Sequence, residues 1–557
     1  MKNLLIFTAM MLISMSLYAE IVSRVMVYNG PANGLDQCNG IVVDKYGKVY
    51  ATGVSWGGTT KEDYATVKFS EDGDYMWAVR FDGSGHNLDY ASAIAIDNDG
   101  NIYVTGWSRS STNLGSEDYC TIKYNSNGVQ QWVKYYDGAN GVDCEYYDYA
   151  KAICVDAAGN VYVTGISVNN SNNEDFATVK YSASGTQLWV KRYNGPSNMQ
   201  DEAFAMFVDD AGNVYVTGGS QQTNKGYDYL TVKYNSAGTQ LWTARYDASS
   251  GNDIASDIKV DLYGNVFITG SSYGGTSVKM DYATVKYTSA GVQNWLKRNN
   301  GTANDTDAAT SLDLDVYGNA YVTGFVKNNV TGFDFCTIKY LNFDGMVEWS
   351  KIYSTGKLIL NANDKAWKIK VISKPCASSR APIAVPCWVV DVYVTGQSDG
   401  GTMGYDFMTL RYTEQGDRKW ANRYSASPTS YDAAFSLYMR DGYPILYASG
   451  IMNNNYGIIG ITESPDQTVE QIGSKSFNYP NPFNPETKIS FTLEKNSYVK
   501  LTIYDALGQE VNVLANADLE KGEYNVTWNA SGSPSGVYFY RLETNKGTET
   551  QKIVLIK

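Results

Sequence analysis

A phrase of about fifty residues recurs through the first 460 residues and restricts the fold more than any other feature of the sequence. Its clearest copy reads Asn160-Val-Tyr-Val-Thr-Gly165, followed by Asp175-Phe-Ala-Thr-Val-Lys-Tyr181 and Trp189-Val-Lys-Arg-Tyr193. The glycine that closes the first part returns in every copy, at Gly53, Gly106, Gly165, Gly218, Gly270, Gly324, Gly396 and Gly450. A period of this size is typical of propeller blades, solenoids and other repeat arrays.

Each period contains four short stretches rich in Val, Ile, Tyr and Thr, which is the composition of β-strands. In one copy these stretches cover residues 91–96, 102–105, 119–124 and 131–135. Turns such as Asp97–Gly100 join the first and second strands, and turns such as Asn125–Gly128 join the third and fourth. Tight hairpins make each unit an antiparallel meander, and radial repetition of such units gives a β-propeller. The sequence therefore predicts an all-β fold.

The two ends of the repeat region indicate how the ring closes. Residues 25–28 match the fourth strand of a unit and precede any complete copy, whereas the last copy, residues 435–461, supplies only three strands. One N-terminal strand would complete the final blade, which predicts eight blades closed by a 1+3 strand exchange. The alternative is a ring of seven blades, with the degraded last copy acting as a cap or linker.

The sequence outside the repeat divides into three segments. Residues 1–19 carry Lys2, an apolar stretch over 4–13 and small residues up to Ala19, which is the pattern of a cleaved signal peptide. The propeller is predicted over residues 20–462 and a polar linker over residues 463–475. No later segment is long and apolar enough to cross a bilayer, so we expect no transmembrane segment in the mature chain.

The last segment, residues 476–557, contains several short stretches in which apolar and polar residues alternate. Examples are Thr487 to Leu493, Val499 to Ile503 and Tyr524 to Trp528. Several such strands within about eighty residues predict an Ig-like β-sandwich.

Charge and cysteine content limit the partners and the chemistry. A net charge of −13 and a pI near 4.8 argue against nucleic acid, whose binding requires clustered Lys and Arg. The seven cysteines show no CxxC motif and no Cys/His metal spacing. Cys376 and Cys387 are the best disulfide candidates because they share one local insertion, whereas Cys120 and Cys336 occupy the same repeat position in different copies and should lie far apart.

Two parts of the chain resemble known families. The stretch Asp89-Tyr-Ala-Ser-Ala-Ile-Ala-Ile-Asp97 and its continuation Gly100-Asn-Ile-Tyr-Val-Thr-Gly106 resemble the bacterial SBBP (seven-bladed β-propeller) repeat family. By the repeat count this resemblance covers roughly four-fifths of the chain. The eighth copy departs from the blade number in the family name. The resemblance implies a fold and carries little information about function.

The tail resembles the type A sorting domain of type IX secretion. The resemblance rests on Asn478-Tyr-Pro-Asn-Pro-Phe-Asn-Pro485, Tyr504-Asp505-Ala-Leu-Gly508, Ser535-Gly-Val-Tyr-Phe-Tyr-Arg541 and the final strand Lys552–Lys557. It implies export through the periplasm to the outer-membrane surface or the medium, often with removal of the tail. The implied partner of residues 476–557 is the type IX secretion machinery.

An aspartate precedes the innermost strand in all eight copies. These residues are Asp36, Asp89, Asp148, Asp201, Asp253, Asp307, Asp364 and Asp432. A ring of carboxylates at one mouth of the channel would suit a hard cation such as calcium. A residue present in every blade more often serves a need that every blade shares, such as accepting backbone hydrogen bonds in its own loop. The structural interpretation is favoured, so no cofactor is predicted and structural calcium is left open.

Two further positions recur in the copies and are interpreted as structural. A Gly-x-x-x-Trp element at the third hairpin suits packing between blades. An aspartate at the start of the third strand takes the same interpretation, at Asp63, Asp118, Asp175, Asp228, Asp281, Asp334 and Asp406.

Functional candidates lie on the face that carries the long, variable loops after the second and fourth strands. Trp56, Trp107 and Tyr273 are candidate stacking platforms there for sugars or peptides. The only histidine is His86, so a Ser-His-Asp triad or histidine-rich metal site would have to include it. We therefore expect a non-catalytic binding or adhesion module for a polymer or protein. The alternatives are an extracellular carbohydrate-active hydrolase or lyase that uses carboxylates, and a structural envelope protein.

Overall fold

The computed structural model describes residues 21–463 and 477–557, apart from short internal stretches. Those stretches are residues 110–116, 139–146, 170–172, 249–250, 276–278, 355–361, 376–387, 400–403, 427–429, 440–444, 480–482, 494–495, 506–508, 545–546 and 556. The described residues are almost entirely β-strand, and none of their helices is long and apolar enough to cross a membrane. One unit spans Ile21–Glu463 and a second contains Ser464–Lys557.

The first unit contains eight β-sheets, each built on four antiparallel strands. The chain enters through β1 (Ile21–Tyr28). The first three complete blades are β2–β5 (Asp36–Val43, Val49–Trp56, Glu62–Phe69, Tyr75–Phe81), β6–β9 (Asp89–Ile96, Ile102–Arg109, Glu117–Tyr124, Gln130–Tyr136) and β10–β13 (Asp148–Val155, Val161–Val168, Glu174–Tyr181, Gln187–Tyr193). A single 3-10 turn, Gly58–Thr60, lies in the loop between β3 and β4.

The remaining blades repeat this pattern. They are β14–β17 (Asp201–Val208, Val214–Gln221, Tyr227–Tyr234, Gln240–Tyr246), β18–β21 (Asp253–Val260, Val266–Tyr273, Met280–Tyr287, Gln293–Asn299), β22–β25 (Ala308–Leu314, Ala320–Asn328, Gly332–Tyr340, Val347–Tyr353) with the short strand β26 (Ala362–Asn363) beside β24, β27–β30 (Lys365–Pro375, Trp388–Asp399, Tyr405–Thr413, Arg418–Tyr424), and β31–β33 (Asp432–Met439, Ile445–Met452, Asn455–Glu463). Numbered in this order, the complete blades are blades 1 to 7.

The ring closes through the first strand of the chain. Strand β1 pairs antiparallel with β33, with Val25 opposite Ile459 and Tyr28 opposite Tyr456. The resulting sheet has the order β1-β33-β32-β31 and contacts the first complete blade through β2. The Tyr456 hydroxyl also donates to the carbonyl of Ala65, 3.0 Å away in β4. The predicted eight-bladed propeller with 1+3 closure is confirmed.

The turn between the first two strands explains much of the repeated phrase. In one blade the Asp97 carboxylate accepts the backbone N–H groups of Asp99 and Asn101, at 2.9 and 2.8 Å. The Asn101 amide and the Tyr103 hydroxyl donate to the other Asp97 oxygen. Gly100 completes the turn at a φ of +82°, which favours glycine. Asp, Gly, Asn and Tyr are therefore parts of a single hydrogen-bonded turn.

The glycine of the Val-Thr-Gly phrase faces a β-bulge in the innermost strand. The register between β10 and β11 shifts between Ala150 and Ala152, directly beside Gly165. A Cβ atom at Gly165 would lie 2.0 Å from the carbonyl oxygen of Tyr149. No side chain fits there, so the bulge accounts for the glycine.

Neighbouring blades are joined by a contact that repeats around the ring. The Trp295 indole N–H and the Lys286 ammonium both donate to the carbonyl of Asn342 in the next blade, at 3.1 and 2.8 Å. Gly345 of the same hairpin lies against the Trp295 ring. The same indole-to-carbonyl bond forms at Trp132–Ala183, Trp189–Ser236, Trp242–Ser289 and Trp349–Glu414. These five tryptophans therefore hold neighbouring blades together.

The second unit is a β-sandwich with its own core. One sheet has the order β34-β35-β38 and the other has the order β37-β36-β39-β40. The strands are β34–β40 at Phe477–Tyr479, Glu486–Leu493, Ser497–Asp505, Glu510–Leu519, Gly522–Asn529, Gly536–Thr544 and Gly547–Leu555. Trp528, which is almost fully buried, packs between Phe483 and Tyr538. This agrees with the predicted Ig-like fold.

Several predictions concern residues outside the described part of the chain. They are the signal peptide at 1–19, the linker at 463–475 apart from Glu463, and the disulfide between Cys376 and Cys387. The strands that flank these two cysteines pair as far as Pro375 and Trp388. The disulfide stays a prediction. Four cysteines that the structure describes are unbridged, namely Cys38, Cys120, Cys154 and Cys336.

Ring closure can be tested with two neighbouring residues of β1. Met26 is buried in the core between the closing blade and blade 1, whereas Val27 is 46% exposed. We expect Met26→Ala to lower the free energy of unfolding by about 2–4 kcal/mol because it leaves a cavity. Val27→Ala should change it by less than about 1 kcal/mol. Chemical denaturation of both variants measures the difference, and equal effects would contradict the closure.

The contact between blades can be tested at Gly345, where φ is +67° and an added Cβ would lie 2.7 Å from the Trp295 ring. Gly345→Ala should cost about 3 kcal/mol, from backbone strain plus overpacking. Gly275 also has a positive φ, +103°, but nothing lies within 4 Å of an added Cβ. Gly275→Ala should therefore cost only the strain, about 1 kcal/mol. Similar unfolding midpoints for the two variants would show that the tryptophan contact contributes little.

Candidate functional site

The three predicted stacking residues occupy two different environments. Trp56 and Tyr273 end the second strands of their blades and are half-buried. Each lies against a glycine of its own blade, since a Cβ at Gly34 or Gly251 would fall within 2.5 Å of the Trp56 or Tyr273 side chain. Among the described residues, neither ring stacks on another aromatic side chain. These two aromatics therefore pack against the loops that lead into the innermost strands of their blades.

Trp107 instead belongs to a row of aromatic rings at one mouth of the channel. It stacks on Tyr90 with 5.8 Å between ring centroids and 6° between ring planes, and it contacts Tyr149 at 5.5 Å. Tyr149 stacks in turn on Tyr147, at 4.8 Å and 20°. We call these four residues, Tyr90, Trp107, Tyr149 and Tyr147, the aromatic band.

The fold places the aromatic band on the long-loop face. Tyr90 and Tyr149 are the second residues of the innermost strands β6 and β10, which begin at that face because they follow the loop after a fourth strand. Trp107 lies on β7, which runs towards the same face. All four rings are half-buried, so each retains an accessible part. The band therefore forms an aromatic surface that spans blades 2 and 3.

A pair of glutamates continues the aromatic band onto blade 4. The Tyr147 hydroxyl donates to Glu174, and the Tyr227 hydroxyl donates to Glu202 at 2.8 Å. Glu174 and Glu202, the glutamate pair, lie close enough for Glu202 to raise the pKa of Glu174. The Tyr227 hydroxyl oxygen also lies 2.7 Å from the side-chain oxygen of Gln200. The result is a cluster of oxygen acceptors beside the stacked rings.

The electrostatics of the glutamate pair follow from burial and like charge. Burial and then the neighbouring Glu202 raise the pKa of Glu174, although the Tyr147 hydroxyl opposes the shift. Burial and hydrogen bonding to Glu202 also raise the pKa of Tyr227. Each carboxylate accepts a tyrosine hydroxyl, from Tyr147 at Glu174 and from Tyr227 at Glu202. The pair is therefore arranged as a set of hydrogen-bond acceptors.

Sequence reasoning found Trp107 but missed the other members of the site. Tyr90, Tyr149 and Glu202 share the second position of the innermost strand, where the other complete blades carry Gln37, Ile254, Ala308 and Lys365. These residues could have been recognised because they differ from the residues that the other blades carry at this position. Comparison of the copies position by position would have exposed it.

The repeated aspartates of the innermost strands are buried within their own blades. Asp201 accepts the backbone N–H of Gly195 at 2.5 Å, and Asp307 accepts those of Gly301 and Lys327. The other members make similar bonds, at Asp36–Gly30, Asp89–Gly83, Asp148–Gly138, Asp253–Ala248, Asp364–Asp399 and Asp432–Ala426. These backbone hydrogen bonds explain why every blade carries the aspartate.

The aspartates at the start of the third strand pair mostly with an arginine of the fourth strand. The Asp175 carboxylate, for example, contacts Arg192 at 2.9 Å. Equivalent ion pairs are Asp63–Arg80, Asp228–Arg245, Asp281–Arg298 and Asp406–Arg423. Because each carboxylate is held by its own blade, this set also serves the architecture.

The channel itself contains a cavity of about 620 Å³ between the innermost strands of blades 5 to 7 and the closing blade. Its lining includes ion pairs between Lys259 and Asp257 at 3.5 Å and between Lys370 and Asp313 at 3.1 Å. Burial would raise the pKa of Asp257, but Lys259 and Lys368 lower it below its ordinary value. The cavity is therefore lined by paired charges.

Two segments of the chain match known families. Residues 83–115 match the SBBP family, described as a beta-propeller repeat, and residues 478–557 match the family described as a secretion system C-terminal sorting domain. The chain therefore carries one segment that matches the SBBP repeat and a type IX secretion sorting tail. The sorting tail indicates export to the cell surface or the extracellular space, and it implies an interaction with the secretion machinery.

Solved structures similar to this SBBP propeller include other propellers. One is PorZ of Porphyromonas gingivalis, described as a surface component of its type IX secretion system, with 11% identity and a TM-score of 0.35 over 95% of this chain and 76% of that one. Another is the propeller domain of the Trilobed protease from Pyrococcus furiosus, with 6% identity and a TM-score of 0.36 over 68% and 96%. At these identities the likeness concerns the fold alone. No curated protein matches the sequence.

Burial of the repeated aspartates predicts an unusual pH dependence of stability. Burial raises the pKa of Asp201 from 3.8 to about 6, so between these values the folded chain holds a proton that the unfolded chain has released. This residue therefore stabilises the fold less as the pH rises from 4 to 6. Asp201→Asn removes the effect, and its free energy of unfolding relative to wild type should rise over this range by up to about 3 kcal/mol.

A second aspartate serves as the control with the opposite sign. The pKa of Asp156 is lowered because hydrogen bonds from Asn160, Tyr162 and Ala158 outweigh its burial. Its contribution to stability is present above the ordinary pKa and is lost as the pH falls through the lowered value. Asp156→Asn should therefore lose stability relative to wild type as the pH rises. Urea denaturation at several pH values measures both variants, and trends of the same sign would contradict the assignment.

Proposed function

We propose that the propeller is a non-catalytic binding module, displayed at the cell surface or secreted, whose ligand docks on the aromatic band. The observation that carries the proposal is the stack of Tyr90, Trp107, Tyr149 and Tyr147 beside the glutamate pair. Aromatic faces supply apolar area at a fixed position, and the carboxylates accept hydrogen bonds from ligand groups. Such a surface is chemically suited to a sugar polymer.

The negative charge of the chain limits the class of polymer that the aromatic band can bind. The chain carries a net charge of −13, and the glutamate pair adds acidic groups at the band itself. Long-range repulsion disfavours acidic polysaccharides. Neutral or amino-substituted glycans therefore fit the site better, and their hydroxyl or ammonium groups would donate to Glu174 and Glu202.

Two alternatives lead to different results. A hydrolase or lyase would place its carboxylates on this same face, but Glu174 and Glu202 are each engaged by a tyrosine hydroxyl. A structural envelope protein would assemble with itself and would not need the aromatic band. Export follows from the sorting tail under all three functions, and removal of the tail after export is part of the proposal.

The proposal is tested by binding assays on the full exported chain. We expect selective binding to neutral or amino polysaccharides without new reducing ends or unsaturated products, and Trp107→Ala should weaken it at least about tenfold because the central ring is lost. Tyr75→Ala is the matched control, since Tyr75 is an exposed aromatic residue on the fourth strand of blade 1. Circular dichroism verifies that both variants fold.

The remaining results separate the alternatives. If Trp56→Ala and Tyr273→Ala weaken polysaccharide binding as much as Trp107→Ala does, the binding surface also includes these two residues. Product formation would replace the binding module with an enzyme, and self-association without glycan binding would favour the structural role. Selective binding to surface proteins that depends on Trp107 would retain the site and change the ligand class.

A further inference from the structure

Three aspartates converge where blade 1 meets blade 2. Asp63 begins the third strand of blade 1, Asp82 follows its fourth strand, and Asp89 begins the first strand of blade 2. One carboxylate oxygen from each lies within 4.8 Å of those of the other two. Oxygens that share one Ca²⁺ at about 2.4 Å are separated by at most about 4.8 Å. The spacing is therefore compatible with one ion held by all three groups.

Each of the three carboxylates has one oxygen that is fixed by a neighbour. Oδ2 of Asp63 accepts from Arg80 at 2.6 Å and from Thr60 at 2.8 Å. Oδ2 of Asp89 accepts the backbone N–H of Gly83 at 2.7 Å. Oδ2 of Asp82 lies 2.6 Å from Nδ1 of the exposed His86. These bonds orient all three groups.

The second oxygen of each carboxylate is buried and lacks a hydrogen-bond partner. This applies to Oδ1 of Asp63, Asp82 and Asp89, and the side chains of Asp63 and Asp89 are 3% and 0% exposed. A buried carboxylate oxygen without a donor is costly, so these atoms call for a ligand.

The charge around this cluster is also unbalanced. Among the described residues, the one ion pair between these three carboxylates and a permanent cation joins Asp63 to the Arg80 guanidinium. A divalent cation would neutralise the excess negative charge.

Equivalent junctions in the same molecule lack this arrangement. The residue equivalent to Asp82 is asparagine at Asn29, Asn194 and Asn300, where its amide donates to Asn33, Asn198 or Asn304. Two other three-aspartate groups occur in the described part of the chain. In the group of Asp118, Asp137 and Asp148, both oxygens of Asp148 accept hydrogen bonds. In the group of Asp228, Asp247 and Asp253, Asp247 pairs with Lys225 and both oxygens of Asp253 accept hydrogen bonds. Three unpaired carboxylate oxygens therefore coincide, within the described residues, at the junction of blades 1 and 2.

We propose that Asp63, Asp82 and Asp89 form a calcium site that joins blade 1 to blade 2 on the long-loop face. The donor set is entirely oxygen, which suits a hard cation. Asp89 directly precedes Tyr90 of the aromatic band in β6, but the site uses none of the band's residues and does not depend on the ligand proposed there. With three protein carboxylates, an affinity of the extracellular class is expected, with a Kd of about 10⁻⁴–10⁻³ M.

The test uses Asp82→Asn in the full chain, because this substitution reproduces the asparagine of the other junctions and should fold. Calcium titrated into chelator-treated wild-type protein should bind and raise the Tm by several degrees. Asp82→Asn should weaken binding at least about tenfold and lose the calcium-dependent rise in Tm. Its Tm in chelator should equal or exceed that of wild type, because one buried charge is removed.

Two matched variants complete the experiment. Asp247→Asn alters the equivalent aspartate three blades away and should leave calcium binding unchanged. His86→Asn, which reproduces Asn33 and Asn198, should also retain binding, because the histidine only orients Asp82. The proposal is overturned if wild type shows no calcium-dependent rise in Tm, if Asp82→Asn binds like wild type, or if Asp247→Asn loses as much. Equal or tighter binding of Mg²⁺ would overturn the choice of calcium.

Discussion

The propeller depends on a carbonyl oxygen that each of blades 3 to 7 presents to the tryptophan and lysine of the blade before it. At Asn342 this oxygen accepts from Trp295 and Lys286 together, and Gly345 allows the indole ring to lie against the hairpin. One contact therefore combines apolar burial, two hydrogen bonds and the backbone freedom of glycine. Because the contact repeats, a sheet that could not be stable alone is supported on both sides.

The fold was largely predictable because the blades share these requirements. Strand number and turn type follow from positions that recur across the copies, such as Asp97, Gly100 and Tyr103 in the first turn. Ring closure follows from the incomplete copies at the two ends of the repeat, and the tail sandwich follows from its alternating strands. At each of these positions, burial or hydrogen bonding restricts which residue types the backbone can accept. The repeated aspartates of the innermost strands also make the loop hydrogen bonds that the structural interpretation expects.

The candidate site was much less predictable, since it consists of positions where one blade differs from the others. Trp107 was found because it is an aromatic residue on a long-loop face, but Tyr149 and Glu202 were not, because their contacts join different blades. Asp82 was overlooked for the same reason, since its meaning depends on Asp63 and Asp89 nearby in space. The residues that all blades share determine the fold, and the residues at which one blade differs form the candidate sites.

The pairing of β1 with β33 has a consequence for the order of events after synthesis. The first strand of the ring has no partner until the last strand has emerged, so closure is among the most non-local contacts that this chain can form. Until then, the last blade lacks its fourth strand and the ring presents an unpaired edge. A chain that crosses a membrane in extended form acquires its final shape only after the whole propeller has passed. The first and last residues of the propeller also lie next to each other, because Ile21 pairs with Glu463.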